Sequence, residues 1–434
     1  MDTKQRATDR AATVAVLGAF DTKGVELGYL SDLIRQRGLK VLVIDTSVVG
    51  PGSPDADIAP AEVARAGGVE LDQLLRERDR GAAVAVMAKG AAAVVARAWD
   101  EGAFDAIIAA GGGAGTLIGT TAMRGLPFGV PKLMVSTLAS GDTSIYIGGS
   151  DIVMIPSVAD VAGLNRITRR VFGNAAAAVC GMAISSREYV EAPSAGSRPL
   201  VAATMFGNTT RAVDHARRLL EAEGYEVLVF HATGVGGAAM ENLIHAGMFA
   251  GVLDLTTTEL ADELCGGVLS AGASRLRAAA ETGTPQVVAP GCLDMVNFWS
   301  VDSVPERFAD RTLYSWNPQV TLMRTTPDET RQLAAVIAER LNVACGPTAF
   351  LIPTRGWSEL DVEGGRFWWP EAVDAFVESL RSELRPDIPV TTLDVDVNDP
   401  AFADAMARTL IALIDGQGTQ DPVTPMDEET TSEQ

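Results

Sequence analysis

Short apolar runs alternate with amphipathic stretches along most of this chain, and the order in which they recur predicts parallel strands joined by crossover helices. The first run, Thr13-Val-Ala-Val-Leu-Gly18, has the length of a strand and leads into a polar loop, Ala19-Phe-Asp-Thr-Lys-Gly24. Leu27, Leu30, Leu33 and Ile34 then recur at helical spacing as far as Gly38, a residue suited to a left-handed helix cap. Val41 to Ile44 reads as the second strand, and Val84 to Met87, Ala106 to Ala109 and Lys132 to Val135 as later ones, with helices around residues 61 to 76 and 90 to 101. Residues 151 to 192 read as a connecting region, with an Ala-rich helix from Asn174 to Ser186 and an exposed linker from Glu191 to Pro199.

From Leu200 the pattern starts again. Leu200 to Phe206, Val227 to Phe230, Gly251 to Leu255, Gln286 to Ala289 and Thr348 to Ile352 read as strands, with a helix over Val213 to Leu220. The two halves match at a constant offset of 186 residues: Phe20 falls on Phe206, Gly38 on Gly224, and Val41-Leu-Val-Ile-Asp-Thr-Ser47 on Val227-Leu-Val-Phe-His-Ala-Thr233. The expected architecture is α/β: two doubly wound, mostly parallel-sheet subdomains related by internal duplication, at residues 1–192 and 193–415. An acidic tail at 416–434 is expected to be disordered. Such sheets take ligands beyond the carboxyl ends of their strands, so two ligand-facing edges are expected.

Composition narrows the partners. The chain has 434 residues, ample for two cores, and its 56 acidic against 35 basic residues give a formal charge of -21. That excess opposes binding to nucleic acid or anionic membranes. No apolar stretch is read as long enough to span a bilayer and the first ten residues are polar, so a cytoplasmic protein is expected. Cys180, Cys265, Cys292 and Cys345 share no metal-binding or disulfide-framework spacing and are expected to be reduced and mostly buried. Cys292 lies within the loop Pro290 to Asp294, yet no activating base accompanies it.

On the first edge, polar and glycine-rich segments follow several strands. Asp21, Thr22 and Lys23 follow the first and Asp45 the second. Gly111, Gly112, Gly113, Gly115 and Thr116 follow the Ala106 run, and Ser140, Gly141 and Asp142 follow the Lys132 run. Glycines before a helix leave backbone amides free to approach phosphate oxygens, Lys23 adds a charge, Thr116 a hydroxyl, and Asp45 is placed to accept from ribose hydroxyls. No G-x-x-x-x-G-K-[ST] loop is present and no G-x-G-x-x-G follows the first strand, so ATP is favoured over NAD. Tight turns and helix caps are the plainer reading of each segment taken alone.

On the second edge, Gly234, Gly236 and Gly237 precede a helix and suit a phosphate or carboxylate. His231 is the acid/base candidate, with Glu259 or Asp294 to orient it. A hydrogen-bonded histidine at a strand end is the alternative. Asp254, Glu259, Asp262 and Asp294 offer oxygen ligands to a divalent cation, against capping and solvation as their ordinary uses. His215 and His245 lie in helical patterns. The aromatic cluster of Trp357 and Phe367-Trp-Trp369 reads as a packing or subunit contact.

Five segments together resemble one family: Gly18-Ala-Phe-Asp-Thr-Lys-Gly24, Ala109-Ala-Gly-Gly-Gly-Ala-Gly-Thr116, Val229-Phe-His-Ala-Thr-Gly234, Leu253-Asp-Leu-Thr-Thr-Thr-Glu-Leu-Ala-Asp-Glu263 and Leu293-Asp-Met-Val-Asn-Phe298. The chain resembles the Tm-one-like ATP-binding family, relatives of a tomato protein that blocks tobamovirus RNA replication, from about Val14 to Met406. The resemblance implies two α/β subdomains, ATP in the first with Asp21 to Lys23 and Gly111 to Thr116 as contacts, and dimers. The antiviral activity of the plant member is not carried over. Two positions depart from the family pattern, both bearing on the second edge: Trp316 stands where a His is expected, and Trp369 where an acidic residue is expected.

The reading that follows is an ATP-binding enzyme of small-molecule metabolism, with Mg²⁺ as the ion that would accompany the nucleotide. Its anionic substrate would sit at the second subdomain or in the cleft, and the protein would form a homo-oligomer. Two alternatives stand beside it: an ATP-independent hydrolase or isomerase using the His231 edge, and a non-catalytic regulatory protein that binds ATP.

Overall fold

The computed structural model describes residues 10–50, 52–188 and 198–416. Residues 191–197 of the expected linker and 417–434 of the expected tail lie outside them. The chain divides into two compact units, Met1–Ala195 and Gly196–Gln434.

The first unit runs β1 (Thr13–Gly18), α1 (Phe20–Arg35), β2 (Lys40–Asp45), α2 (Pro60–Ala66), α3 (Leu71–Glu77), α4 (Arg80–Asp100), β3 (Ala106–Gly111), α5 (Gly113–Arg124), β4 (Lys132–Ser136), α6 (Ser144–Ile147), β5 (Val153–Pro156) and α7 (Arg166–Glu188). Its five strands form one parallel sheet in the order β2-β1-β3-β4-β5. The alternation of β1 and β3 sets both faces. Ala15, Leu17, Ile107 and Ala109 pack with α4 and α5 on one face, while Val14, Val16, Ala106 and Ile108 pack with α1 and α7 on the other.

Several expectations are corrected here. Val84 to Met87 is not a strand but lies inside α4. Four apolar residues cannot by themselves distinguish a strand from a buried helical turn. What decides is the Asp79 carboxylate, which accepts from the Gly81 and Ala82 amides at 2.9 and 3.0 Å, and the buried series Ala83, Met87, Ala91, Val94 and Ala98 that follows. Read whole, α4 is also long and apolar enough to cross a membrane by length and composition, which the divided reading misses. The helix expected over 61 to 76 is two helices, broken where Gly68 takes a φ of +97°. The loop from Ala19 to Gly24 is the first turn and a half of α1, with a local kink at Lys23. The connecting region after residue 151 supplies an edge strand and the long helix α7, whose Phe172, Ala176 and Val179 are core.

The second unit runs β6 (Leu200–Met205), α8 (Thr210–Ala222), β7 (Glu226–His231), α9 (Val235–His245), β8 (Gly251–Thr256), α10 (Thr258–Cys265), α11 (Ala278–Thr282), β9 (Gln286–Gly291), β10 (Met295–Phe298), β11 (Leu313–Asn317), β12 (Val320–Arg324), α12 (Pro327–Leu341), β13 (Thr348–Pro353), α13 (Pro370–Glu383), β14 (Val390–Leu393) and α14 (Pro400–Ile414). Six strands make a parallel sheet in the order β14-β13-β9-β8-β6-β7. Counted in chain order its first five strands repeat the 2-1-3-4-5 arrangement of the first unit. Unrelated sheets share that order, so it does not test the expected duplication. An antiparallel sheet, β10-β12-β11, was not expected. Its strands are short and its hairpin turns through Asn317-Pro-Gln319.

Close helix packing in the first unit depends on Gly90, where a Cβ would run into the Val63 carbonyl of α2. Gly90→Ala is expected to destabilise the protein by about 1–3 kcal/mol, measured as a lowered urea midpoint with unchanged slope.

Candidate functional site

The carboxyl edge of the first sheet holds a cavity of about 440 Å³. Its walls come from the first turns of α1, α4 and α5, the loop after β2, and Asp160 after β5. It sits where β1 and β3 adjoin and their following helices leave on opposite faces, the switch point at which such sheets bind ligands.

Of the expected contacts, Asp21, Thr22, Lys23, Gly111, Gly112, Gly113 and Gly115 line this cavity. The glycines have a backbone reason to be there. A Cβ on Gly111 would lie 3.0 Å from the Gly115 Cα, so strand end and helix start can approach only without side chains. The N-cap of α5 is Gly112, which offers no capping side chain. The first amide to find a partner is that of Thr116, which donates to the Gly112 carbonyl at 2.8 Å. Among the described residues, the amides of Gly113, Ala114 and Gly115 meet no side-chain acceptor, and they line the cavity at the positive end of a helix of 12 residues.

The start of α1 differs, because the protein itself satisfies it. The Phe20 amide donates to Asp45 at 3.3 Å and the Asp21 amide to the Ser47 hydroxyl at 2.9 Å. Asp45 is therefore not a ribose acceptor. It is fully buried, and its oxygens also accept from the Ser47 amide at 2.9 Å and the Ser53 amide at 2.6 Å. Asp21 Oδ2 accepts from the amides of Val48, Val49 and Gly50, while its Oδ1 is buried without a partner. Thr116 is likewise turned inward, bonded to the Ser136 hydroxyl at 2.6 Å, where it ties α5 to β4. Ser140, Gly141 and Asp142 are exposed and do not line the cavity. Asp142, two residues before the short helix α6, accepts from the Ser144 amide and hydroxyl, which hold its carboxyl below the ordinary value.

The second unit resolves the same backbone problem internally. Glu259 in the first turn of α10 is fully buried and accepts from the amides of Gly234 and Gly237, at 2.7 and 3.1 Å, at the start of α9. A Cβ on Gly237 would collide with that carboxylate. The anion expected on these glycines is thus a residue of the chain. Arg275, fully buried, holds Glu259 through Nε at 2.6 Å and Asp254 through both terminal nitrogens at 2.6 Å. Its Nη1 also reaches Glu241 at 3.3 Å. Burial works against the guanidinium charge and is more than offset by these carboxylates, while burial raises Glu259 against the hold of Arg275 and the Gly234 amide. The divalent cation considered for Asp254 and Glu259 is replaced by this guanidinium. Asp262 is occupied too, accepting from the Asn297 side chain at 2.7 Å and the Asn297 and Leu269 amides.

His231 ends β7 and is exposed, its ring 5.6 Å from that of Phe206. It pairs with Met205 as Asp45 pairs with Gly18, so it occupies the corresponding strand end. Among the described residues no hydrogen bond joins it to Glu259 or Asp294, and the orienting role expected of those carboxylates is corrected. Asp294 is fully buried and accepts from Ser358 at 2.7 Å, while Arg324 donates to the Asp294 backbone carbonyl at 3.4 Å and to the Asp361 carboxylate at 3.2 Å. Its Oδ1 has no partner and burial raises its carboxyl. Cys292 takes a left-handed φ of +57° at the sharp turn out of β9 and is fully buried; burial drives its thiol well above its ordinary value and leaves it inert. All four cysteines are free, with Cys345 exposed. Trp357 and Phe367 are core, Trp316 is about half exposed on β11, and Trp369 lies over Arg324.

Two family models match, described as the N-terminal and C-terminal domains of the Uncharacterised protein family (UPF0261), over residues 12–188 and 198–414. The chain belongs to the UPF0261 family. It is 47% identical to a UPF0261 protein of Clostridium tetani over 93% of this chain and 99% of that one. It is 38% identical to the ToMV resistance protein Tm-1(GCR237) of Solanum lycopersicum over 94% of this chain and 56% of the tomato protein, so the Tm-one-like resemblance holds. Among solved structures it is similar to a UDP-N-acetylglucosamine 2-epimerase from Rickettsia bellii at 9% identity, covering 94% and 98% of the two chains, with a TM-score of 0.24, too slight a likeness to carry an argument.

Two residues of this UPF0261 chain, Arg80 and Arg275, were not expected at either edge. Arg80 was hidden by the strand expected just after it. Arg275 carries no motif, and only the folded chain shows that three acidic residues from separate elements converge on it.

Arg275→Met is expected to lower stability by about 3–5 kcal/mol, because it strands buried carboxylates. A melting curve should show the loss, and adding Glu259→Gln should restore part of it.

Burial also pushes Asp262 up to about 7 and Asp361 up to about 8 from an ordinary 3.8. Between those limits the folded form keeps protons that the unfolded chain releases, so stability falls as pH rises from about 4 toward 8. The urea midpoint should be higher at about pH 5.5 than at about pH 8, and Asp262→Asn should narrow the difference.

Proposed function

We propose that the first unit binds ATP in the cavity at its switch point, and that the protein is an ATP-dependent enzyme acting on an anionic small molecule. The observation carrying the nucleotide reading is the row of amides from Gly113 to Gly115, without an acceptor, on a cavity also lined by Lys23. A helix start of this kind favours a phosphate, since the amides point at the anion and the helix dipole supports them. Lys23 has no ion pair or hydrogen bond from its side chain among the described residues, in a chain with a formal charge of -21. Bound there, ATP would supply a transferable phosphoryl group. The amides would hold its phosphates and Lys23 would balance their charge.

Mg²⁺ fits this site in one respect. Among the described residues no group of three or more His, Cys, Asp or Glu side chains could hold a metal alone. Mg²⁺ commonly takes one or two carboxylates together with substrate phosphates, and Asp21 Oδ1, buried and unpartnered, is the oxygen available for that role.

A second reading, a regulatory protein that binds ATP without chemistry, is favoured by one observation: His231, Glu259 and Asp294 are not assembled into an acid/base group. Calorimetry with ATP and Mg²⁺, followed by phosphate release with and without carboxylic acids, separates the two. Lys23→Ala is expected to weaken ATP binding about tenfold, some 1.4 kcal/mol. Turnover that His231→Ala abolishes at unchanged ATP affinity supports the enzyme, binding without turnover supports the regulator, and absence of ATP binding removes both.

A further inference from the structure

We infer that Arg80 is a second phosphate-binding cation of the cavity, and that the cavity selects its ligand by number of phosphates rather than by its sugar. This rests on the reading of the cavity as a phosphate site. Arg80 is the first residue of α4 and lines the cavity with an exposed side chain. The amides that follow it are already satisfied by Asp79, so the start of α4 needs no ligand of its own, and the guanidinium is what this element contributes. Arg80 and Lys23 have no ion pair or side-chain hydrogen bond among the described residues, although acidic residues outnumber basic ones by 56 to 35. Three separate elements thus bring positive charge to one cavity: Lys23 on α1, Arg80 on α4 and the bare amides of α5. A single phosphate is satisfied by the amides alone, whereas two side-chain cations beyond them match a chain of phosphates, with the guanidinium able to grip two oxygens at once.

The sugar has no comparable reader at β2. Asp45, the acceptor a dinucleotide fold would use, is buried and spent on Phe20, Ser47 and Ser53. The amides of Val48, Val49 and Gly50 are given to Asp21, so that loop presents the valine side chains to the cavity. Asp160, the remaining exposed carboxylate on the lining, follows β5 at the opposite edge of the sheet from β2.

The test titrates the full chain and Arg80→Ala with ATP, dATP, AMP and inorganic tripolyphosphate by calorimetry. ATP is expected to bind at least about tenfold tighter than AMP, with dATP and tripolyphosphate within about tenfold of ATP. Arg80→Ala should weaken ATP and tripolyphosphate about tenfold and leave AMP within about twofold. An unchanged ATP to AMP ratio in the variant, or dATP binding far weaker than ATP, overturns the inference while leaving the ATP site standing. Tripolyphosphate binding without ATP binding does the reverse, and binding of neither overturns both.

Discussion

The first amides of a helix have no partner within it, and each helix that starts at a strand end in this protein must find an acceptor for them. That requirement governs both sheets. At α1 the acceptors are Asp45 and Ser47, and at α9 Glu259. At α5 no side chain answers, and there the chain leaves a cavity. Two edges with similar strand order and similar glycine loops therefore differ in kind: one is closed by its own carboxylate, the other is open to an anion from outside.

Closing the second edge has its own demand. Glu259, buried at a helix start, has Arg275 beside it as a counter-charge. Because Arg275 is buried in turn, it draws in Asp254 and Glu241 as well, and Glu241 uses its remaining capacity on the amides of Leu276 and Arg277 and of Ala278, the first residue of α11. One guanidinium thereby joins β8, α9, α10 and the start of α11. The residues that looked like a metal or acid/base cluster in the linear chain are the parts of this knot.

Most of the strands were legible because a buried parallel strand is a short continuous apolar run, and β1, β2, β3, β4, β6, β7, β8, β9 and β13 each contain one that was expected. The runs failed where length was the only guide: Val84 to Met87 belongs to a helix, and β5, β14 and the antiparallel strands were too short or too irregular to stand out. The glycine loop from Gly111 to Gly115 and the Asp21 to Lys23 segment were also legible, since residues with no side chain after a strand imply bare amides. Their neighbours Asp45, Thr116 and Asp142 were not, because an aspartate or threonine after a strand looks the same whether it faces a ligand or caps the backbone.

What the linear chain determined by itself is therefore the alternation of strands and helices, the division into two units each with its own parallel sheet, and the places where backbone would be left uncovered. These follow from local periodicity and from residue size. Only the tertiary structure decided which uncovered backbone stays open. That outcome depends on whether a side chain from a distant part of the chain, Glu259 on behalf of α9 or none on behalf of α5, can be brought there together with a buried partner, and no local pattern records it.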